Sequence, residues 1–68
     1  MNFDYEDTRR ELIAQRAKES DRIIKERLSL LIENLNRMIA DPNDEALERQ
    51  FRKNVASFER WMKERKAR

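Results

Sequence analysis

A chain without a single glycine can turn sharply only where some other residue allows it, and in these 68 residues one proline marks the clearest place. Pro42 lies in Asp41-Pro42-Asn43-Asp44, between two long segments whose apolar residues recur at helical spacing. Glycine enters left-handed backbone at no steric cost, and proline disfavours helix at the residue before it. The pattern therefore predicts an all-α fold, an antiparallel two-helix hairpin of coiled-coil type. Helix 1 is expected over about 4–40, the turn at about 41–43 and helix 2 over about 42–66, all in one domain spanning 1–68.

The first segment carries its apolar residues at Ile13, Ala17, Ile24, Leu28, Leu31, Leu35 and Ile39. Ile13, Ile24 and Leu35 are eleven apart, as are Ala17, Leu28 and Ile39, so a continuous helix keeps them in one nearly straight stripe. Ile32 widens this stripe, which suits a multi-helix bundle. Asp21 interrupts it in heptad register and is expected at its wetted edge, whereas Asn54 in the second stripe can fix register. That second stripe is Leu47, Phe51, Val55, Phe58 and Met62, with Trp61 beside it. At the turn, Asp41 is expected to cap helix 2, with Pro42 in its first position and Asp44 as the capping-box acid. Asn43 is the alternative cap. Favourably ordered charge pairs at i,i+4 are Glu6 with Arg10, Asp21 with Lys25, Glu33 with Arg37, Glu45 with Arg49, Glu48 with Arg52 and Glu59 with Lys63.

At 1.5 Å per residue such helices are ~54 Å and ~37 Å long. The longer one then overhangs by about a dozen residues carrying Phe3, Tyr5, Leu12 and Ile13, which either fray before about Arg10 as chain ends do or pack on a second protomer or a protein partner. A core in a chain of fewer than ~70–80 residues rarely supplies more than about 3–5 kcal/mol. With no cysteine and no histidine, neither a disulfide nor a Cys/His zinc site can add to it. Self-association is the remaining means, and the expectation is a homodimer or higher oligomer, two hairpins making a four-helix bundle. The residues expected at the interface are Ile13, Ile24, Leu28, Leu31, Leu35, Phe51, Phe58 and Trp61.

Charged residues make up 44% of the chain, but 16 basic and 14 acidic residues leave a net charge of only +2. The two signs are interleaved, as on a solvated helix surface. Basic residues gather toward the C-terminal end, and folding brings others to them. Arg16, Lys18, Arg60, Lys63, Arg65 and Lys66 around Trp61 are the candidates for nucleic-acid contact. The simpler explanation is that cations favour helix C-termini. No stretch approaches membrane-spanning length, and the acidic start Asp4-Tyr5-Glu6-Asp7 does not read as a targeting peptide, so no membrane partner and a cytoplasmic location are expected. The absence of histidine and cysteine removes the commonest general base, the thiol nucleophile and the best transition-metal ligands. No enzymatic activity, no cofactor and no metal are expected.

Three resemblances accompany these readings. In size and expected topology the chain resembles the repressor-of-primer family of plasmid regulators, which implies a dimeric four-helix bundle and binding to paired RNA loops. Pro42-Asn43-Asp44 with Leu47 and Phe51 is similar to the turn of type III secretion needle subunits and their hairpin chaperones, although Glu45 stands where that family has a second proline. It implies an assembly subunit or chaperone. Arg52-Lys53-Asn54-Val55-Ala56 is similar to the second helix of a small helical-hairpin ribosomal protein. Taken together, the sequence predicts a non-enzymatic regulator, adaptor or inhibitor, of the kind encoded by phages or mobile elements. The alternatives are a nucleic-acid-binding regulator and an assembly chaperone.

Overall fold

Asp21 divides the expected long helix in two. The computed structural model describes residues 4–66 and contains three helices, α1 (Tyr5–Lys18), α2 (Arg22–Ala40) and α3 (Glu45–Lys66). The expectation of two helices is therefore corrected, while the all-helical class stands. The longest dimension of the molecule is 39 Å, well short of the ~54 Å that an unbroken 4–40 helix needs.

Side chains satisfy the backbone at each helix start. Asp4 caps α1 by accepting from the Asp7 N–H at 3.1 Å. That bond, foremost, holds the Asp4 carboxyl below the ordinary aspartate range. The joint between α1 and α2 is self-contained. The Glu19 N–H donates to the Arg16 carbonyl, closing α1, and the Glu19 carboxylate accepts from the Ser20 and Asp21 N–H groups at 3.0 Å each. Asp21 then caps α2, its Oδ1 accepting from Ile23 at 2.8 Å and Ile24 at 3.3 Å. Asp21 is thus a helix cap, not a polar residue on the wetted edge of a stripe. The sequence signal was Ser20-Asp21 directly before an apolar-periodic run.

The turn at Pro42 corrects a second expectation. The Asp44 N–H donates to the Asp41 carbonyl at 3.2 Å, closing a four-residue turn with Pro42 in its second position. Asp44 caps α3, accepting from Ala46 at 2.9 Å and Leu47 at 3.3 Å, so neither Asp41 nor Asn43 is the cap and α3 starts three residues later than expected. Pro42 fits this turn better than the first helical position because its fixed φ presets the second residue of the turn. No described residue has a positive φ, so the turn is made without left-handed backbone.

Both outer helices run antiparallel to α2. Arg9 on α1 donates to Asn36 at 2.7 Å and Arg16 donates to Ser29 at 3.3 Å, which fixes the α1–α2 register. Across the other side, Arg65 near the end of α3 reaches Asp21 at the start of α2 at 2.7 Å. α1 and α3 are therefore parallel to one another, and they do not approach each other backbone to backbone. The core is α2 against α3. Leu28 and Leu35 are fully enclosed, and Leu31, Leu35, Met38 and Phe51 form one cluster. Leu47, Val55 and Phe58 of α3 and Tyr5 and Leu12 of α1 pack on it half-buried. The described part of the expected overhang is thus folded back onto α2, where Tyr5 and Leu12 are half-buried within the single chain. Phe3 lies outside the described residues.

Candidate functional site

Two parallel helices that stand apart over a common floor leave a groove. Its volume is about 460 Å³. Tyr5, Thr8, Leu12 and Gln15 line it from α1, Leu31 and Met38 from α2, and Glu48, Phe51, Arg52, Val55, Ala56, Phe58 and Glu59 from α3. The α1 positions recur at three- and four-residue spacing, one face of a helix. Floor and walls are apolar, and the polar side chains sit along the rims. On the α3 rim Arg52 pairs with Glu48 at 2.7 Å, while Glu59 takes part in no ion pair among the described residues. Val55 and Phe58 are only half-buried although they rest on the core, so their outer surfaces form part of the wall. The size lies within the ~300–1,000 Å³ typical of ligand pockets.

The expected interface residues fall into three groups. Ile24, Leu28, Leu31, Leu35 and Phe51 are buried within the single chain, which already covers the wide stripe with its own helices. Phe58 and Trp61 are half-buried. Ile13 alone remains well exposed, at 41%. Sequence reasoning missed the groove residues of α1. The available signal was Tyr5 and Leu12, seven apart and offset from the Ile13–Ala17 stripe, which demanded a second apolar contact.

The folded-back α1 brings its C-terminal end, the start of α2 and the end of α3 to one end of the molecule, so the candidate nucleic-acid residues do converge. Several are already engaged. Arg16 donates to Ser29, and Arg65 pairs with Asp21 while its guanidinium lies 4.8 Å over the Trp61 ring. The Arg27 guanidinium lies 4.2 Å over the same ring, and Phe58 stacks beside it with centroids 6.1 Å apart. Lys18, Arg60 and Lys63 are exposed, and the Lys66 side chain is outside the described atoms. The Asp21 carboxyl is held below the ordinary aspartate range, chiefly by the Ile24 N–H, then by the Ile23 N–H and Arg65.

A second, smaller hollow of about 170 Å³ lies on the opposite flank of α2 and α3, lined by Arg27, Leu30, Leu31, Asn34, Asn54, Ser57 and Phe58. Arg27 Nε and Asn34 Nδ2 are buried there without a partner, and Gln50 donates to Asn54 at 3.2 Å. Among the described residues no acidic, histidine or cysteine cluster is arranged to hold a metal ion, and no helix is long and apolar enough to cross a membrane. Comparison of the chain with known protein families, curated proteins and solved structures finds no match, so the groove is read from its own geometry.

Proposed function

We propose that this protein is a non-enzymatic interaction module whose α1–α3 groove receives an amphipathic helix from a partner protein, completing a four-helix arrangement. One observation carries the reading: α1 and α3 lie parallel without backbone contact over an apolar floor. A fourth helix is the element that fills such a trough, laying apolar residues at i, i+3, i+4 and i+7 on Leu12, Val55 and Phe58. Glu48 to Glu59 spans three helical turns, about 16 Å, matching a short recognition helix. Because Arg52 is already matched by Glu48, Glu59 is the rim charge without an ion pair among the described residues, and a lysine or arginine flank on the incoming helix complements it. An adaptor or inhibitor role follows directly from such a site.

A synthetic amphipathic helix with leucines on one face tests this in two versions, one flanked by lysine and one by glutamate. The expected result is saturable shifts of the amide resonances of Leu12, Val55, Ala56 and Phe58, tighter for the lysine version. Ala56→Trp, at an exposed groove position, should abolish them with the fold intact. Absence of groove shifts with both peptides sinks the proposal. Concentration-dependent shifts at the same amides without peptide assign the groove to a second copy instead. Nucleic-acid binding through Lys18, Arg60 and Lys63 is the weaker reading, since Arg16 and Arg65 already hold partners within the chain.

A further inference from the structure

The smaller hollow, on the flank of α2 and α3 away from the groove, has a lining of one chemical kind. Arg27, Leu30, Leu31 and Asn34 stand at i, i+3, i+4 and i+7 on one face of α2. Asn54, Ser57 and Phe58 stand at i, i+3 and i+4 on one face of α3. Every polar side chain among them carries a hydrogen-bond donor, one is a cation and none is acidic. Arg27 is half-buried and forms no ion pair among the described residues. The Trp61 ring, 4.2 Å from its guanidinium, holds the cation in place but offers it no acceptor oxygen. Arg27 Nε and Asn34 Nδ2 are both enclosed and unpartnered. A buried donor without an acceptor is costly and uncommon in a folded chain, and two beside one hollow point to a group that belongs between them. Asn54 accepts from Gln50 at 3.2 Å, so its own amide N–H groups remain to donate.

We infer that this hollow is a binding site for a carboxylate carried on a short apolar body. A carboxylate accepts through two oxygens and matches the planar fork of a guanidinium. The Arg27 Nη groups, unlike Nε, are not enclosed, and they take the first oxygen. Terminal torsions onto planar groups are soft. A small turn of the guanidinium therefore brings Nε to the second oxygen, and a turn of the Asn34 amide brings Nδ2 to it as well. Ser57, exposed at the rim, and Asn54 donate to the lone pairs that remain. One negative charge then meets the one cation of the lining. The rest of the lining is apolar, and Leu30, 62% exposed, extends that surface outward as a place for an alkyl body to lie. The volume of about 170 Å³ is roughly six times the ~30 Å³ that a water molecule occupies, room for a carboxylate and about three further carbons. A free short-chain acid and a glutamate side chain of a peptide present this same chemistry. The site shares Leu31 and Phe58 with the groove but none of its polar residues, so it does not depend on what the groove receives.

Titration with butyrate, with its uncharged counterpart butyramide and with an acetylated and amidated Ala-Glu-Ala peptide tests this, sodium chloride keeping the ionic strength constant. The readouts are the Arg27 Nε–H resonance and the side-chain amide resonances of Asn34 and Asn54. The expected result is saturable shifts of all three with butyrate, at a Kd on the order of 1 mM, and none with butyramide. Tighter binding of butyrate assigns the site to a free acid, and tighter binding of the peptide assigns it to a carboxylate borne by a protein. Arg27→Lys keeps the charge but loses the fork, and should weaken binding by roughly 10-fold. Leu30→Glu, at an exposed position one helical turn from Arg27, places a carboxylate of the chain itself beside the hollow. It should compete with added butyrate and weaken its binding, with the helices unchanged by circular dichroism. Arg27 Nε–H and Asn34 resonances that stay fixed up to about 50 times that concentration of either carboxylate overturn the inference. So do equal shifts with butyramide, or binding of undiminished strength in either variant.

Discussion

The two sides of α2 are held by different physics. Toward α3, large side chains interlock: Leu31, Leu35 and Met38 form one buried cluster with Phe51. Toward α1, no residue of the outer helix is buried, and the contact is made by half-buried Tyr5 and Leu12 with two hydrogen bonds, Arg9 to Asn36 and Arg16 to Ser29. The first kind of contact sets whether the chain folds at all. The second sets where α1 rests, and a contact of that kind opens locally without unfolding the rest. The groove lies between these two regions, so its width depends on the weaker one.

Truncation on the strong side should have the largest effect. Leu35→Ala removes a fully buried side chain, and such changes cost about 2–5 kcal/mol. A core this small supplies about 3–5 kcal/mol in total, so the variant is expected to lose cooperative unfolding altogether. Urea titration followed by circular dichroism checks this. A variant that keeps most of its stability would show that α2–α3 is not the strong side. Leu12→Ala, on the weak side, should cost about 1 kcal/mol, because a half-buried leucine loses only part of its transfer free energy. Its signature is faster amide hydrogen exchange confined to α1, with α2 and α3 unchanged. Equal acceleration in all three helices would mean that α1 belongs to the same cooperative unit as the core.

The contrast between the two sides also explains what could be read from the sequence. α2 and α3 are legible because their apolar residues repeat at helical spacing and end at Pro42, a residue with few structural options. The cap at that turn was misplaced by three residues because Asp41, Asn43 and Asp44 are all competent caps, and only the closed turn from Asp41 to Asp44 selects the last. The joint at Glu19–Asp21 was hidden for a stronger reason. Periodicity detects a break when the phase changes, and here the phase is unbroken from Ile13 to Leu35. The groove was hidden with it, since Tyr5 and Leu12 meet Phe51 and Val55 only once α1 has turned back. The stripe is wide enough for more than one neighbouring helix, and α1 and α3 both pack on α2 within the single chain.

Acid should weaken the joint before the core. Asp21 holds two α2 amides and Arg65, and these interactions lower its pKa in the folded chain. A depressed folded pKa contributes stability that is present above the unfolded value of about 3.9 and is lost as pH falls through the folded value. The expected outcome is that resonances of Ser20–Ile24 shift below about pH 4 while those of Leu28–Met38 hold their positions. The same titration in Asp21→Asn, which keeps a capping oxygen but no ionisable group, should lose the local step. A step that persists in this variant would place the acid sensitivity on another carboxylate.

The smallest effect is expected from the polar contact between α1 and α2. Arg9 donates to Asn36 at 2.7 Å, but the bond is exposed, so water replaces most of what either partner loses when it is cut. A net contribution of about 0.5 kcal/mol follows for such a bond. A double-mutant cycle with Arg9→Ala and Asn36→Ala isolates the pairwise part, since each change alone also alters the surface around it. A coupling of about that size, together with the larger loss in Leu12→Ala, would show that the apolar contacts hold α1 in place and the hydrogen bond chiefly sets its register along α2. A coupling above about 1.5 kcal/mol would be that of a charge-assisted hydrogen bond at full strength, little weakened by water. The polar contact would then anchor α1, and the position of the groove's α1 wall would be set from outside the groove rather than from its floor.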